Sequence, residues 1–108
     1  MPLAKLPIPD LFAWMNKTER TFALGLEAER RAGRIVVWRF EAITLKLAFD
    51  TRYTPDFYVL YPSGNVVLYE TKGFMRDDAN VKIKVAARQF PEFCFVLVQK
   101  GVHMEVRP

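Results

Sequence analysis

The residues with chemistry to offer are Asp56, Glu70 and Lys72. They lie in the stretch from Tyr53 to Gly73, YTPDFYVLYPSGNVVLYETKG, where two runs rich in Tyr, Phe, Val and Leu flank Pro62, Ser63 and Gly64. Such runs suit a pleated, half-buried surface, and Pro and Gly at those positions suit a type I turn closed by a bulge. The stretch therefore reads as a β-hairpin with a three-residue loop. That loop pairs Tyr61 with Asn65, and residues equidistant from Ser63 then face one another. Asp56 falls opposite Glu70, with Cβ atoms about 5 Å apart. Lys72 projects from the same face, because strand side chains alternate. Two carboxylates at that distance repel unless a cation sits between them, and a hard divalent ion with oxygen ligands meets the need. Magnesium takes one or two carboxylates and completes its shell with water and substrate phosphate oxygens.

Pro55-Asp56 followed by Glu70-Thr71-Lys72 resembles the PD-(D/E)XK nuclease signature. The likeness is to small phage-type members of that superfamily, including junction-resolving endonucleases, and it runs from about Asn16 to Val98. It implies a restriction-endonuclease-like α/β core with a mixed central β-sheet flanked by helices. It also implies Mg2+, with Mn2+ expected to substitute, held by Asp56, Glu70, the backbone carbonyl of Thr71 and Glu19. Lys72 would orient the attacking water or stabilise the pentacovalent phosphate, with DNA as the expected substrate. No recognition-helix motif or zinc module is present in the sequence, which favours structure-selective cutting. Junction resolution would call for a homodimer presenting two sites.

Composition sets the bounds around that reading. The chain has 108 residues, 51% of them hydrophobic, enough for one globular domain with a modest core. Lys plus Arg number 16 against 12 Asp plus Glu; setting aside Glu19, Asp56, Glu70 and Lys72 leaves 15 against 9, a basic remainder suited to a phosphate-rich partner. No apolar run reaches the length of a membrane span and no export signal opens the chain, so no membrane partner is expected. The expected location is cytoplasmic, in the bacterial host cell if the protein is phage-encoded. The single cysteine, Cys94, lies in the apolar run FCFVLV and is expected to be buried.

The elements that must position the site follow in order. Residues 1–15 contain Pro2, Pro7 and Pro9, which argue against regular structure; they read as an arm anchored by Leu11, Phe12 and Trp14. Asn16 to about Arg31 reads as a helix ended by Gly33. Glu19 has two readings there. At the third helical position it completes a capping box with Asn16; on the stripe with Phe22, Ala23, Leu26 and Arg30 it faces the sheet, where the resemblance makes it a metal ligand. Glu27 and Glu29 read as solvent-facing. Ile35–Phe40 and Thr44–Phe49 are expected strands, the second burying Leu45, Leu47 and Phe49. Trp38, Phe40, Tyr53 and Tyr58 read as core residues ahead of base-stacking platforms. Ala79–Phe90 is a second helix, capped by Asp77 or Asp78, with Lys84 and Arg88 on one flank and Lys82 on the other. Their nearness to Lys72 favours phosphate contact over a merely solvated face. Phe93–Val98 reads as a buried strand reached by a right-handed crossover, and Val102–Val106 as an edge strand carrying the surface residue His103. The expected order is α-β-β-β-β-α-β.

Two readings from other classes remain beside the nuclease. One is a non-catalytic nucleic-acid-binding module that kept the fold. The other is an interaction protein in which Asp56, Glu70 and Lys72 form a salt-bridge network.

Overall fold

The computed structural model of the chain describes residues 8–72 and 77–107, and side chains within 11–72 and 80–107. In chain order the elements are α1 (Ile8–Ala13), α2 (Lys17–Arg31), β1 (Val37–Phe40), β2 (Leu45–Ala48), β3 (Thr51–Tyr53), β4 (Phe57–Leu60), β5 (Val66–Lys72), α3 (Asp77–Gln89), β6 (Cys94–Gln99) and β7 (Val102–Glu105). The hairpin of β4 and β5 forms in the register set by its loop, from Phe57 opposite Tyr69 to Leu60 opposite Val66. Its turn is closed by hydrogen bonds from Gly64 N–H to the Tyr61 carbonyl (2.9 Å) and from Tyr61 N–H to the Asn65 carbonyl (2.9 Å). Gly64 supplies the left-handed residue, at φ 92°.

This hairpin is the middle of a mixed five-stranded sheet of order β1-β4-β5-β6-β7. β1 adds antiparallel to β4, and β6 returns through α3 to lie parallel to β5. β7 pairs antiparallel with β6 at the edge. Helix α2 packs on one face, where Ala23, Leu26, Ile35, Trp38, Phe57, Val59 and Tyr69 form a core. Helix α3 packs on the other, with Leu45, Tyr53, Leu68, Ile83, Ala86 and Phe95. Among the described residues no helix is long and apolar enough to cross a membrane.

The segment expected to supply a second central strand does something else. β2 and β3 form a separate two-stranded sheet laid on α3, and Gln89 Nε2 donates to the Leu47 carbonyl at 2.9 Å. An alternating strand needs one apolar surface to face, and α3 serves that purpose as well as a sheet. The pairing shifts register between Lys46 and Ala48, so Phe49 leaves the alternation and is 89% exposed, with Lys46 Nζ 5.4 Å from its ring centre.

Three further expectations need correction. The arm contains helix α1 despite its prolines, because Pro9 falls in the first turn, where a backbone N–H has no intrahelical partner to lose. Leu11 and Phe12 pack on the α2-side core, but Trp14 points into solvent. Cys94 is exposed: it opens β6 facing away from buried Phe95, with its Sγ 3.9 Å from Glu105 Oε1. The capping of α3 expected from Asp77 or Asp78 lies outside the described residues, as does the expected role of Gly73.

Helix α2 starts and stops as its sequence dictates. Asn16 Oδ1 accepts from Glu19 N–H and Glu19 Oε1 from Asn16 N–H, both at 2.8 Å, a complete capping box. At the other end Gly33 takes φ 79°, and the Gly33 and Arg34 amides close a Schellman motif on the carbonyls of Arg30 and Glu29. Glu29 pairs with Arg34 near the surface. Glu27 does not face solvent. One helical turn beyond Ala23, it lies on the buried stripe and accepts hydrogen bonds from Arg30 Nε and Nη2 (2.8 and 2.6 Å) and from Trp38 Nε1 (2.9 Å). The Arg30 bonds hold its carboxyl down at about 2 against the opposing effect of burial, with Trp38 and Arg31 adding to the depression.

Because an unfolded Glu titrates near 4.5, the stability contributed by Glu27 is complete above that pH and is lost as pH falls towards about 2. Glu27→Gln is therefore expected to lower the unfolding free energy by about 2–3 kcal/mol at pH 7, with a smaller deficit at pH 3. Urea denaturation of both proteins at the two pH values checks this. An equal deficit at both would remove the ion pair as its cause.

Candidate active site

Asp56 immediately precedes β4, whose first residue, Phe57, pairs with Tyr69, and the charge of Glu70, the next residue of β5, acts on it. Pro55 is fully buried before Asp56 and fixes the backbone direction there. Asp56 Oδ2 accepts from the Thr71 amide at 2.8 Å and from Thr71 Oγ1 at 3.1 Å. Glu70 is held from two sides: Tyr53 donates its phenol to Oε1 at 2.8 Å, and Lys72 Nζ lies 2.8 Å from Oε2. Both carboxylates are more than nine-tenths buried, whereas Lys72 is partly open to solvent.

These surroundings set the titration behaviour. Burial, followed by the charge of Glu70, pushes the Asp56 carboxyl up to about 7, although the two Thr71 hydrogen bonds pull the other way. Tyr53 is pushed far up by burial and by the Glu70 charge, so its phenol remains a donor across the physiological range. It holds Glu70 in one orientation.

The structure brings Asp56, Glu70, Thr71 and Lys72 together. Glu19 takes the capping-box position that was one of its two readings, and its charge contributes to the rise of Asp56. Among the described residues no three His, Cys, Asp or Glu side chains are grouped closely enough to hold a metal ion. Thr71 contributes its amide and hydroxyl to Asp56. Lys82, Lys84 and Arg88 lie on α3; among the described residues no hydrogen bond or ion pair joins them to the carboxylates, and Lys84 and Arg88 are exposed.

Two residues of the site were not evident in sequence. Tyr53 reads as a core aromatic, and only the fold turns its hydroxyl to Glu70. Glu41 directly follows β1, takes the left-handed conformation at φ 48°, and donates its amide to the Asp56 carbonyl at 2.8 Å. Burial, then the charges of Glu19 and Glu70, raise its carboxyl. No local pattern marks an acid at a strand end as part of a site formed by residues far along the chain.

Two neighbouring carboxylates, with the Asp56 carboxyl raised first by burial and then by the charge of Glu70, make a donor set that would suit a divalent cation keeping most of its water. Asp56 binds its proton more tightly folded than unfolded, where it titrates near 3.8. The stability linked to the neutral acid is complete below that value and is lost as pH rises through about 7. In chelator at pH 8, Asp56→Asn is expected to be more stable than the parent by about 2–4 kcal/mol, with little difference at pH 4. Magnesium is expected to stabilise the parent and not the variant. Thermal unfolding with and without the ion measures both effects, and a variant less stable than the parent at pH 8 would contradict them. Comparison of the chain with known proteins found no matching family model, no matching curated protein and no matching solved structure.

Proposed function

We propose that this chain is a metal-dependent endonuclease that hydrolyses DNA phosphodiester bonds and selects its substrate by structure. The observation that carries the reading is the buried, opposed pair of Asp56 and Glu70 with Lys72 ion-paired beside it. Two carboxylates suit Mg2+, or Mn2+ in its place, better than a caged ion such as structural Ca2+. When bound, the ion supplies Lewis-acid polarisation of the phosphate and a water of lowered pKa.

The protein's own groups account for the rest. Thr71 fixes Asp56 and Tyr53 fixes Glu70, so the ligand oxygens are oriented before substrate arrives. In hydrolysis a water oxygen bonds to phosphorus while the P–O bond to the leaving sugar oxygen breaks, and negative charge gathers on the phosphate oxygens. Lys72 offers a fixed positive charge to that build-up, its position restrained by Glu70. The basic surplus of the remaining surface favours a polyanion, and Lys82, Lys84 and Arg88 on α3 are proposed as backbone contacts. The finer form of the reading is a cytoplasmic homodimer cutting both strands of branched DNA; its support is the sequence resemblance and the match of two sites to two strands.

The test is cleavage, in magnesium, of a panel comprising a four-way junction, a flap, a linear duplex and a single strand. Asp56→Ala is expected to abolish cutting. Lys72→Ala is expected to slow it by about 10²–10³-fold while keeping magnesium-dependent stabilisation. No cutting of any substrate by folded protein would leave a non-catalytic nucleic-acid-binding module.

A further inference from the structure

A groove of about 730 Å³ opens between α2 and the β5–β6–β7 side of the sheet, and Thr71 and Lys72, at the end of β5 beside Glu70, are among the residues that line it. Its size is that of a site for one small ligand. Three aromatic rings meet at it: Phe22 lies 5.1 Å from Tyr69 and 6.0 Å from His103, and Tyr69 lies 5.8 Å from His103. Lys17, Lys72 and Lys100 also line it against one acid, Glu29, which pairs with Arg34, so the balance suits a phosphate backbone. Aromatic faces beside lysines are the combination that holds unpaired nucleotides, because every base has a face to stack and every linkage a charge to neutralise.

Gly25 borders the same open space. It lies within α2, where glycine is among the poorest helix formers, and it lines the groove. It is not among the positive-φ residues, and a Cβ built on it would meet nothing within 4 Å. Neither backbone conformation nor packing calls for glycine. A larger side chain would fill the groove.

We propose that this groove receives an unpaired nucleotide of the DNA strand being cut, setting its base against Phe22 and His103 while the adjoining phosphate lies at Lys72. In a continuous duplex both faces of each base are covered by neighbours, so the substrate class narrows to DNA with unpaired nucleotides at the cut: single strands, gaps and flaps. This inference rests on the nuclease reading for the identity of its ligand.

The experiment measures fluorescence anisotropy of labelled oligonucleotides in calcium, with 2-aminopurine at the unpaired position as a stacking reporter. The parent is expected to bind single-stranded and gapped DNA at least about tenfold tighter than the fully paired duplex of the same sequence, with quenching of 2-aminopurine. Gly25→Leu, which fills the groove from a position with free space, and Lys100→Ala are each expected to reduce that preference by about fivefold or more. Equal affinity for paired and unpaired DNA, or a preference that survives Gly25→Leu in folded protein, would overturn the proposal. So would association of a second copy of the chain that Gly25→Leu abolishes while DNA binding persists. Magnesium-dependent stabilisation, measured alongside, separates the two readings. If it persists while unpaired DNA is not preferred, the groove assignment alone fails. If it is absent while the Gly25-sensitive preference holds, the nuclease reading fails and the groove stands.

Discussion

The antiparallel register between β4 and β5 is the constraint on which everything else in this chain rests. A slip of one residue would turn every side chain of one strand to the opposite face, burying the wrong set and parting Asp56 from Glu70. The register is protected twice. The Pro62–Gly64 loop sets it locally, and the two cores enforce it from either side, Phe57 and Tyr69 packing towards α2 while Leu68 packs towards α3. A site made of opposed strand residues thus inherits the rigidity of the middle of the sheet.

Within that frame the like charges are managed by unlike means. Glu70 is answered by an ammonium and a phenol, Asp56 by a backbone amide and a hydroxyl. Burial, then the charge of Glu70, raises the Asp56 carboxyl in spite of those two bonds. Glu27 shows the opposite balance on the same molecule. There the guanidinium of Arg30 more than offsets burial, and the carboxylate serves the core alone. Two buried acids in one small domain therefore behave differently because of who faces them.

Much of this was legible in the chain. Turn chemistry at Pro62 and Gly64 located the hairpin, Asn16 and Gly33 bracketed α2, and the link through α3 gave a parallel strand. What escaped depends on contacts made across long stretches of sequence. Glu27 belongs to the core only because the Trp38 indole, eleven residues on, meets it. β2 looks like a member of the central sheet until α3 offers it a surface, and Glu41 joins the site only once β1 lies beside β4. Of the two readings that sequence left open for Glu19, the structure shows the local one, a bond with its own helix start. A capping box three residues long competes well against partners that must be brought from afar.

The two tryptophans have a practical consequence. Trp38 is buried, donates to Glu27 and stacks on Phe12 at 6.5 Å, whereas Trp14 is 81% exposed. The chain thus holds one fluorophore sealed in the α2-side core and another bathed in solvent. Its intrinsic emission should separate into a blue component that an aqueous quencher cannot reach and a red one that it can, an optical readout of that core's integrity that needs no label.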